Sequence, residues 1–322
     1  MKKLVLLVAV VLLSISLAAC GSAKNETNSG NTPNSGGTNT EAGGNAGGDK
    51  TDETPITGSL LAVGSSALQP LVDQVSKKFM DDKKYSGITV QVQGGGSGTG
   101  LTQVQGGQAD IGNSDIFAEE KFKGDDADKA KELVDHQVAV VGMATVVNKS
   151  VTTDNLTKQQ LVDIFTGKVK NWKEVGGQDE KITIVNRPSS SGTRATFEKY
   201  ALGVKSEDLP GSIQEDASGT VKKLVADTSG AIGYLAFSYI DDSVKAMKYE
   251  GVEAKEENVV TGDYPVWAYE HMYTKGEPNE AAKVFLEYMI SDDVQKNDVA
   301  ELGYISIKAM QVKRDVDGNV TK

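Results

Sequence analysis

The sequence predicts an α/β fold in which short strands alternate with helices and pair mostly in parallel. Three observations support this prediction. The chain has 322 residues, of which 38% are hydrophobic and 25% charged, a globular composition with enough length for two lobes. Short apolar or alternating runs are followed by apolar residues at helical spacing. The junctions between them are rich in Gly, Ser and Thr, as turns between strands and helices are.

The first 19 residues are predicted to be an export signal. Lys2 and Lys3 precede an apolar run that is too short for a lasting membrane span. Cys20 is the only cysteine, and it follows Leu-Ala-Ala as in the lipobox of bacterial lipoproteins. There the thiol receives a diacylglycerol, with acyl chains such as palmitate. We therefore predict a lipid anchor on the extracytoplasmic face of the cell membrane; the alternative is an unmodified thiol in an exported chain.

Residues 20–56 are predicted to be a flexible tether. Asn, Gly, Ser and Thr dominate this stretch, and large apolar residues are almost absent. Such a composition cannot bury enough apolar surface to offset the entropy lost on ordering. The folded body is therefore expected to begin near residue 57, held away from the membrane by this tether.

The first half of the body shows the strand–turn–helix alternation most clearly. Residues 59–63 are apolar and end at a Gly-Ser-Ser turn. Residues 67–80 then place apolar side chains at helical spacing, with Pro70 in the first turn, where no amide hydrogen bond is lost. Residues 88–93 alternate apolar and polar side chains, as a half-buried strand does. Residues 109–111 read as a further short strand that leads into Gly112-Asn113-Ser114-Asp115.

The second half repeats the pattern. Residues 138–147 form a long apolar run, and residues 181–185 alternate as a strand. A helix is predicted at about 195–202, and an amphipathic helix at 281–290.

Three turns stand between a predicted strand and a predicted helix. They are Gly64-Ser65-Ser66, Gly96-Ser97-Gly98-Thr99 and Ser191-Gly192-Thr193. Each would present free backbone N–H groups and a hydroxyl at the positive end of a helix dipole, which is chemistry for holding an anion. In an open α/β sheet, such turns collect at the carboxyl ends of the strands. For any single turn the alternative is helix capping by Ser or Thr.

Arginine is scarce in this chain, with only three residues, and two of them flank the third turn. Arg187 lies four residues before Ser191 and is predicted to face the same ligand, because a guanidinium donates two parallel hydrogen bonds to an oxyanion. The alternative for Arg187 is an ion pair. For Arg194 a structural role is favoured.

The composition, and the absence of several consensus motifs, argue against other functions. The formal net charge of −11 argues against nonspecific nucleic-acid binding. One cysteine excludes an intramolecular disulfide, and two histidines leave little for a metal site, so no metal or cofactor is predicted. The glycine run at 94–100 matches neither a phosphate-binding P-loop nor a dinucleotide or hydrolase motif. No catalytic residue is therefore predicted, and the chain is expected not to be an enzyme.

Together, four motifs resemble the PstS family of phosphate-binding proteins of ABC transporters. They are Gly64-Ser65-Ser66-Ala67-Leu68-Gln69-Pro70, residues 94–100, Gly112-Asn113-Ser114-Asp115 and Arg187-Pro188-Ser189-Ser190-Ser191-Gly192-Thr193. The resemblance covers residues 57–310. It implies a type II periplasmic-binding-protein fold, with two α/β lobes joined by two crossing strands around one dehydrated phosphate. Lobe I is expected to comprise 57–142 and 268–322, and lobe II 143–267.

The resemblance also implies the residues that bind phosphate. They are Ser66, Ala67, Leu68, Ser97, Asp115, Arg187, Ser191, Gly192 and Thr193. By position, Ser97 donates its hydroxyl and Asp115 accepts a hydrogen bond. Arg187 binds two phosphate oxygens, and the residues from Ser191 to Thr193 give donors from the second lobe. Leu68 departs from the family, which often has Thr there, so Ser66 is expected to supply the hydroxyl.

Asp115 is predicted to select the anion. A buried carboxylate opposes an anion unless the ligand gives it a proton to accept, and phosphate has a P–OH group whereas sulfate at neutral pH has none. The alternative for Asp115 is a helix cap or a pair with lysine.

The resemblance implies a monomeric lipoprotein that captures inorganic phosphate and delivers it to the membrane subunits of an ABC permease. A binding protein for sulfate, molybdate or arsenate remains the closest alternative. A secreted phosphatase-like enzyme and a surface adhesion or phosphate-sensing protein are alternatives from other classes.

Overall fold

The computed structural model describes residues 56–322. The predicted signal peptide, Cys20 and the predicted tether up to residue 55 lie outside the described residues. Within residues 56–322, no helix combines the length and apolar character that crossing a bilayer requires.

Strands and helices alternate along the described chain. The strands are β1 (Gly58–Gly64), β2 (Ile88–Gly94), β3 (Ile111–Ser114), β4 (Leu133–Val147), β5 (Asn155–Leu156), β6 (Thr183–Asn186), β7 (Ile213–Gln214), β8 (Ala231–Ala236), β9 (Lys245–Ala246), β10 (Lys248–Tyr249), β11 (Trp267–Lys275), β12 (Lys313–Arg314) and β13 (Val320–Thr321). The helices are α1 (Gln69–Asp81), α2 (Ser97–Gln105), α3 (Ala118–Lys121), α4 (Ala127–Lys131), α5 (Lys158–Phe165), α6 (Gly192–Phe197), α7 (Ser218–Asp227), α8 (Glu256–Thr261), α9 (Glu280–Met289), α10 (Asp292–Lys296) and α11 (Asp298–Glu301).

The main sheet has two parallel parts with an antiparallel centre. Its strand order is β2-β1-β3-β11-β4-β8-β6-β7, and β9 pairs with β4. On one side, β1 pairs in parallel with β2 and β3. On the other side, β6 pairs in parallel with β8 and β7. We call these the first half and the second half of the sheet.

Two long antiparallel strands join the halves. β11 pairs with β3 and with the first ten residues of β4, and the rest of β4, from Met143 onward, pairs with β8. The carboxyl ends of the parallel strands β1, β3, β6 and β7 lead into the turns that carry the candidate site. The sheet therefore brings segments that are far apart in sequence to one place.

Helix α1 shows how the sequence pattern builds this architecture. Leu71, Val72, Val75 and Phe79 recur on one face and are buried, and a proline occupies the first turn as predicted. Strand β8 is buried along its whole length, as expected for a strand covered on both faces. Burial of these apolar surfaces is the main favourable term in folding.

Most predicted elements are confirmed, and the boundaries of three differ. The strand predicted at 109–111 instead runs from Ile111 to Ser114, because Gly112 and Asn113 pair with both β1 and β11. The helix predicted at about 195–202 begins earlier, at Gly192, and continues as a π-helical turn over Glu198–Leu202. Strand β4 begins five residues before the predicted run, at Leu133.

The polar C-terminal segment is also folded. The Arg314 guanidinium lies 3.8 Å from the ring centroids of both Tyr200 and Trp267, and it donates hydrogen bonds to the carbonyls of Pro265 and Trp267. Burial lowers its pKa to about 10. Since Tyr200 follows α6 and Trp267 begins β11, this arginine ties the C-terminal segment to the second half and to a joining strand.

Candidate functional site

The nine predicted site residues meet where the two halves of the sheet face each other. They come from the turns after β1 and β3, from the start of α2, and from the segment between β6 and α6. All of them are buried, and Ser66 is the most exposed of the polar ones at 7%. The fold therefore collects these side chains in one dry cluster, which we call the cleft cluster.

The turn after β1 is organised by Ser65. Its hydroxyl oxygen accepts the backbone N–H groups of Ala67 and Leu68, at 3.0 and 3.1 Å, and the hydroxyl donates to a carboxylate oxygen of Asp115. The Leu68 side chain is buried in the hydrophobic core, so only its backbone faces the turn. Ser65 thus links the amides of this turn to the carboxylate.

Asp115 lies at the centre of the cleft cluster. Its other carboxylate oxygen accepts the Thr193 hydroxyl at 3.0 Å, and its backbone N–H donates to the Ser97 hydroxyl oxygen at 2.9 Å. Asp115 therefore contacts donors from both halves of the sheet. A carboxylate has about four acceptor positions, so each of its oxygens can accept one more hydrogen bond.

Arg187 is the buried cation of the cleft cluster. The side chain is 1% exposed, and its terminal nitrogens donate to the hydroxyls of Ser66 and Ser218 and to the backbone carbonyl of Asp216. A side-chain oxygen of Asp216 lies 3.8 Å away. Among the described residues, the Arg187 Nε–H has no partner. A buried guanidinium with an unused N–H can bind a further acceptor.

Arg194 points away from the cleft cluster, in agreement with the structural role favoured for it. It pairs with Glu198 at 2.8 Å and donates to the backbone carbonyl of Arg187 at 2.6 Å. Arg194 therefore supports the segment that carries Arg187.

The start of α6 packs directly against the first half. The Ser191 hydroxyl oxygen accepts the Arg194 N–H, which leaves the Ser191 proton available for donation. The Gly98 N–H donates to the Ser190 carbonyl across the cleft at 2.9 Å. A Cβ atom on Gly192 would overlap the Ser97 hydroxyl and approach Asp115. Glycine is needed at position 192 because no side chain fits between the halves.

Sequence reasoning missed the contribution of the loop before α7. The Ser218 hydroxyl lies 3.1 Å from the Ser66 hydroxyl, and Asp216 has a buried side-chain oxygen without a hydrogen-bond partner among the described residues. Residues 218–220 have the same Ser-Gly-Thr sequence as residues 191–193 and 97–99. This repeated triplet was the signal that could have identified Ser218.

Glu270 was also not predicted from the sequence. It lies on β11 and is fully buried, and neither carboxyl oxygen has a hydrogen-bond partner within residues 56–322. Burial raises the pKa of Glu270 well above its ordinary value, and the Asp115 carboxylate raises it further. A raised pKa favours the protonated form of Glu270. The only sequence signal was an acidic residue within an otherwise apolar and aromatic strand.

The rim of the cleft is open and charged. A groove of about 600 Å³ is lined by residues of both halves, including Glu120 of α3 and Lys199 of the π-helical turn. These two side chains form an ion pair of 3.3 Å across the rim. Within the described residues, no group of three or more His, Cys, Asp or Glu side chains is placed to hold a metal ion.

The arrangement suits a small oxyanion that carries a proton. Hydroxyls, amides and one guanidinium supply donors for anion oxygens, and Asp115 supplies an acceptor for a hydroxyl of the ligand. The same acceptor disfavours an anion without a proton, because two negative groups would then meet in a dry cluster.

Comparison with known proteins agrees with this chemistry. The family model of the PBP superfamily domain matches residues 49–293. The chain is 52% identical over 317 residues to the phosphate-binding protein PstS of Bacillus subtilis, with 98% of each chain covered. It is 27% identical to PstS of Staphylococcus epidermidis, with 85% of this chain and 86% of that relative covered.

Solved structures show the same relationship. A phosphate ABC transporter substrate-binding protein from Clostridium perfringens, crystallised with bound phosphate, is 33% identical and superposes with a TM-score of 0.70, covering 78% of this chain and all of that one. A phosphate transport receptor from Vibrio cholerae is 28% identical, with a TM-score of 0.62 over 76% of this chain and 99% of that one. The fold is thus the type II periplasmic-binding-protein fold, and the chain belongs to the PstS family within the PBP superfamily.

Proposed function

We propose that this protein captures inorganic phosphate outside the cytoplasm and delivers it to an ABC-type permease. The observation that carries the proposal is the position of Asp115, a buried acceptor that receives the hydroxyls of Ser65 and Thr193 from the two halves of the sheet. The names of the relatives support the same ligand and the same type of transporter.

The nine predicted residues are proposed to hold one phosphate ion. The hydroxyls of Ser66, Ser97 and Ser191 and the amides of Gly192 and Thr193 donate to its oxygens, and Arg187 gives a bidentate contact. The amides of Ala67 and Leu68 exchange the Ser65 hydroxyl oxygen for an oxygen of the ion. The Thr193 hydroxyl stays with Asp115. Ser65 and Ser218 join this set, because each contacts one of these groups directly. Asp115 accepts the P–OH proton and disfavours sulfate.

The remaining proposals concern the whole chain. Lobe I is assigned to 57–142 with 268–322 and lobe II to 143–267, supported by the change of β4 from one partner strand to another at Gly142–Met143. Closure of the lobes would exclude water from the ligand. Cys20 is proposed to carry the lipid anchor of a monomeric, non-enzymatic binding protein.

Titration calorimetry tests the function directly. The purified protein is first stripped of carried-over phosphate by unfolding and refolding, and is then titrated with phosphate and with sulfate at neutral pH. We expect tight one-to-one binding of phosphate and no heat from sulfate. Comparable binding of sulfate would contradict the role of Asp115, and binding of neither anion would contradict the proposed function. Turnover of a chromogenic phosphate ester would show an enzyme instead.

A further inference from the structure

Glu270 occupies a position that the proposed binding chemistry leaves unexplained. It is 0% exposed, and both of its carboxyl oxygens lack a hydrogen-bond partner within the described part of the chain. A buried polar group without a partner costs free energy, so such a residue usually has a function or a partner in another state of the protein.

The sheet register places Glu270 beside Asp115. His271 of β11 pairs with Ser114, the last residue of β3, so Glu270 and Asp115 directly adjoin the end of this pairing on the two strands. Both side chains are buried, and the Asp115 carboxylate is among the groups that raise the pKa of Glu270. The two carboxyl groups are thus neighbours in one dry region, where both cannot be ionised at low cost.

We infer that the carboxyl group of Glu270 donates a hydrogen bond to Asp115 and thereby holds Asp115 directed at the ligand. This inference rests on the proposed function. Glu270 is a positioning residue, because it acts on the anion only through Asp115.

The acceptor positions of Asp115 are consistent with this role. Of about four, Ser65 and Thr193 occupy two. The hydroxyl of phosphate would occupy a third, and the proton of Glu270 the fourth. All polar groups of the pair would then be satisfied when the site is filled.

The other titratable groups around the pair do not replace this proton. Tyr239 and Tyr304 interact with both carboxyls, and burial raises the pKa of Tyr239 to about 12 and that of Tyr304 well above its ordinary value. The hydroxyl of each tyrosine already donates to a backbone carbonyl, of Ser66 and of Ala67 respectively. Arg187 is the cation of the cluster. His271, the next residue on β11, contacts Asp135 at 2.8 Å.

Two substitutions separate the proposed role from packing. Glu270→Gln keeps a donor toward Asp115, whereas Glu270→Leu removes it and keeps a similar volume. The leucine variant is expected to fold, because Asp115 loses one donor but still accepts the hydroxyls of Ser65 and Thr193. Both variants and the wild-type protein are titrated with phosphate and sulfate at pH 7 and at pH 5.

Wild type and Glu270→Gln are expected to keep the phosphate-to-sulfate affinity ratio at both values of pH. In Glu270→Leu, Asp115 loses the donor that directs it at the P–OH group of phosphate, so its preference for phosphate weakens. We expect the phosphate-to-sulfate affinity ratio of this variant to fall about tenfold or more below that of the wild type at both values of pH. A packing defect would weaken both anions without this change of ratio, and an unchanged ratio would overturn the inference. A glutamine variant that behaves like the leucine variant would also overturn the inference.

A second measurement does not depend on any ligand. An acid whose pKa is raised in the folded state stabilises the fold fully below its unfolded pKa of about 4.5, and this contribution is lost as the pH rises. The free energy of unfolding, measured with urea, should therefore increase for Glu270→Gln relative to the wild type as the pH is raised from 5 to 8. A constant difference between the two proteins would show that Glu270 is not a neutral acid.

A wild-type protein that binds no phosphate would overturn the proposed function. The stability measurement would still decide whether Glu270 is protonated in the folded protein.

Discussion

Asp115 concentrates the selectivity of the site in one carboxylate. Its two oxygens accept hydroxyls from opposite halves of the sheet, so hydrogen bonds to the protein set its position. Selectivity then depends on whether the ligand brings a proton, which is a property of the anion and not of its size.

Asp115→Asn should therefore lose discrimination. The amide presents a donor where the carboxylate presented only acceptors, so an anion without a proton is no longer repelled. We expect the phosphate-to-sulfate affinity ratio to fall by about 10²-fold or more, measured by calorimetry. Asp125→Asn, an exposed acidic residue that loses the same charge, is the control. If both variants keep the wild-type ratio, Asp115 does not select the anion.

At the scale of elements, the start of α6 matters because it touches the first half without any space between them. Gly192 lies against Ser97 and Asp115, and the Ser190 carbonyl accepts the Gly98 N–H. Helix α7 begins with the same triplet, but its glycine at 219 is exposed, and a Cβ there would come no closer than 3.8 Å to Tyr239.

This pair of triplets provides a matched test. Gly192→Ala inserts a methyl group between the halves, and overpacking of this kind costs about 1–3 kcal/mol. Phosphate affinity should fall at least tenfold by calorimetry. Gly219→Ala should bind phosphate as the wild type does. Equal affinities of the two variants would mean that the halves do not close on each other as tightly in solution.

Arg314 makes the densest set of contacts between the C-terminal segment and the rest of the described chain. Arg314 stacks between Tyr200 and Trp267, and a leucine there would lose both cation–π contacts and two hydrogen bonds to carbonyls. We expect Arg314→Leu to lower the free energy of unfolding by about 2 kcal/mol or more in urea. Lys313→Leu, at the exposed neighbouring position, should change it by less than about 0.5 kcal/mol. Similar losses in both variants would point to a general effect of the segment.

Elements with a strong local pattern could be predicted from the sequence. Helix α1 has a clear apolar face, and strand β2 alternates, so both were located within about two residues. Strand β3 was misplaced because its glycine and asparagine read as a turn, and only pairing with β1 and β11 makes them a strand.

The predicted site residues could be proposed from the sequence because they lie in motifs. Ser218 and Glu270 were missed because each owes its position to tertiary contacts. Ser218 comes to the cleft cluster by its contact with Ser66, and Glu270 comes to Asp115 by the pairing of β11 with β3. Contacts between residues that are far apart in the sequence leave no local sequence pattern.

For the whole molecule, a ligand that binds only the folded state must also stabilise it. At a free phosphate concentration of 100 times Kd, the free energy of unfolding should rise by about 2.7 kcal/mol. Urea midpoints measured with phosphate and with sulfate at equal ionic strength would show this. An equal shift with both salts would indicate a general salt effect and contradict specific capture.

The ion pair between Glu120 and Lys199 marks two positions that face each other across the rim of the cleft. The single cysteine of the sequence is Cys20, so residues 56–322 contain no native thiol. Cysteines introduced at 120 and 199 would thus be the only labelling sites on the body. A pair of spin labels or fluorophores there would act as a molecular ruler, and the separation of the labels would report the opening of the protein in real time.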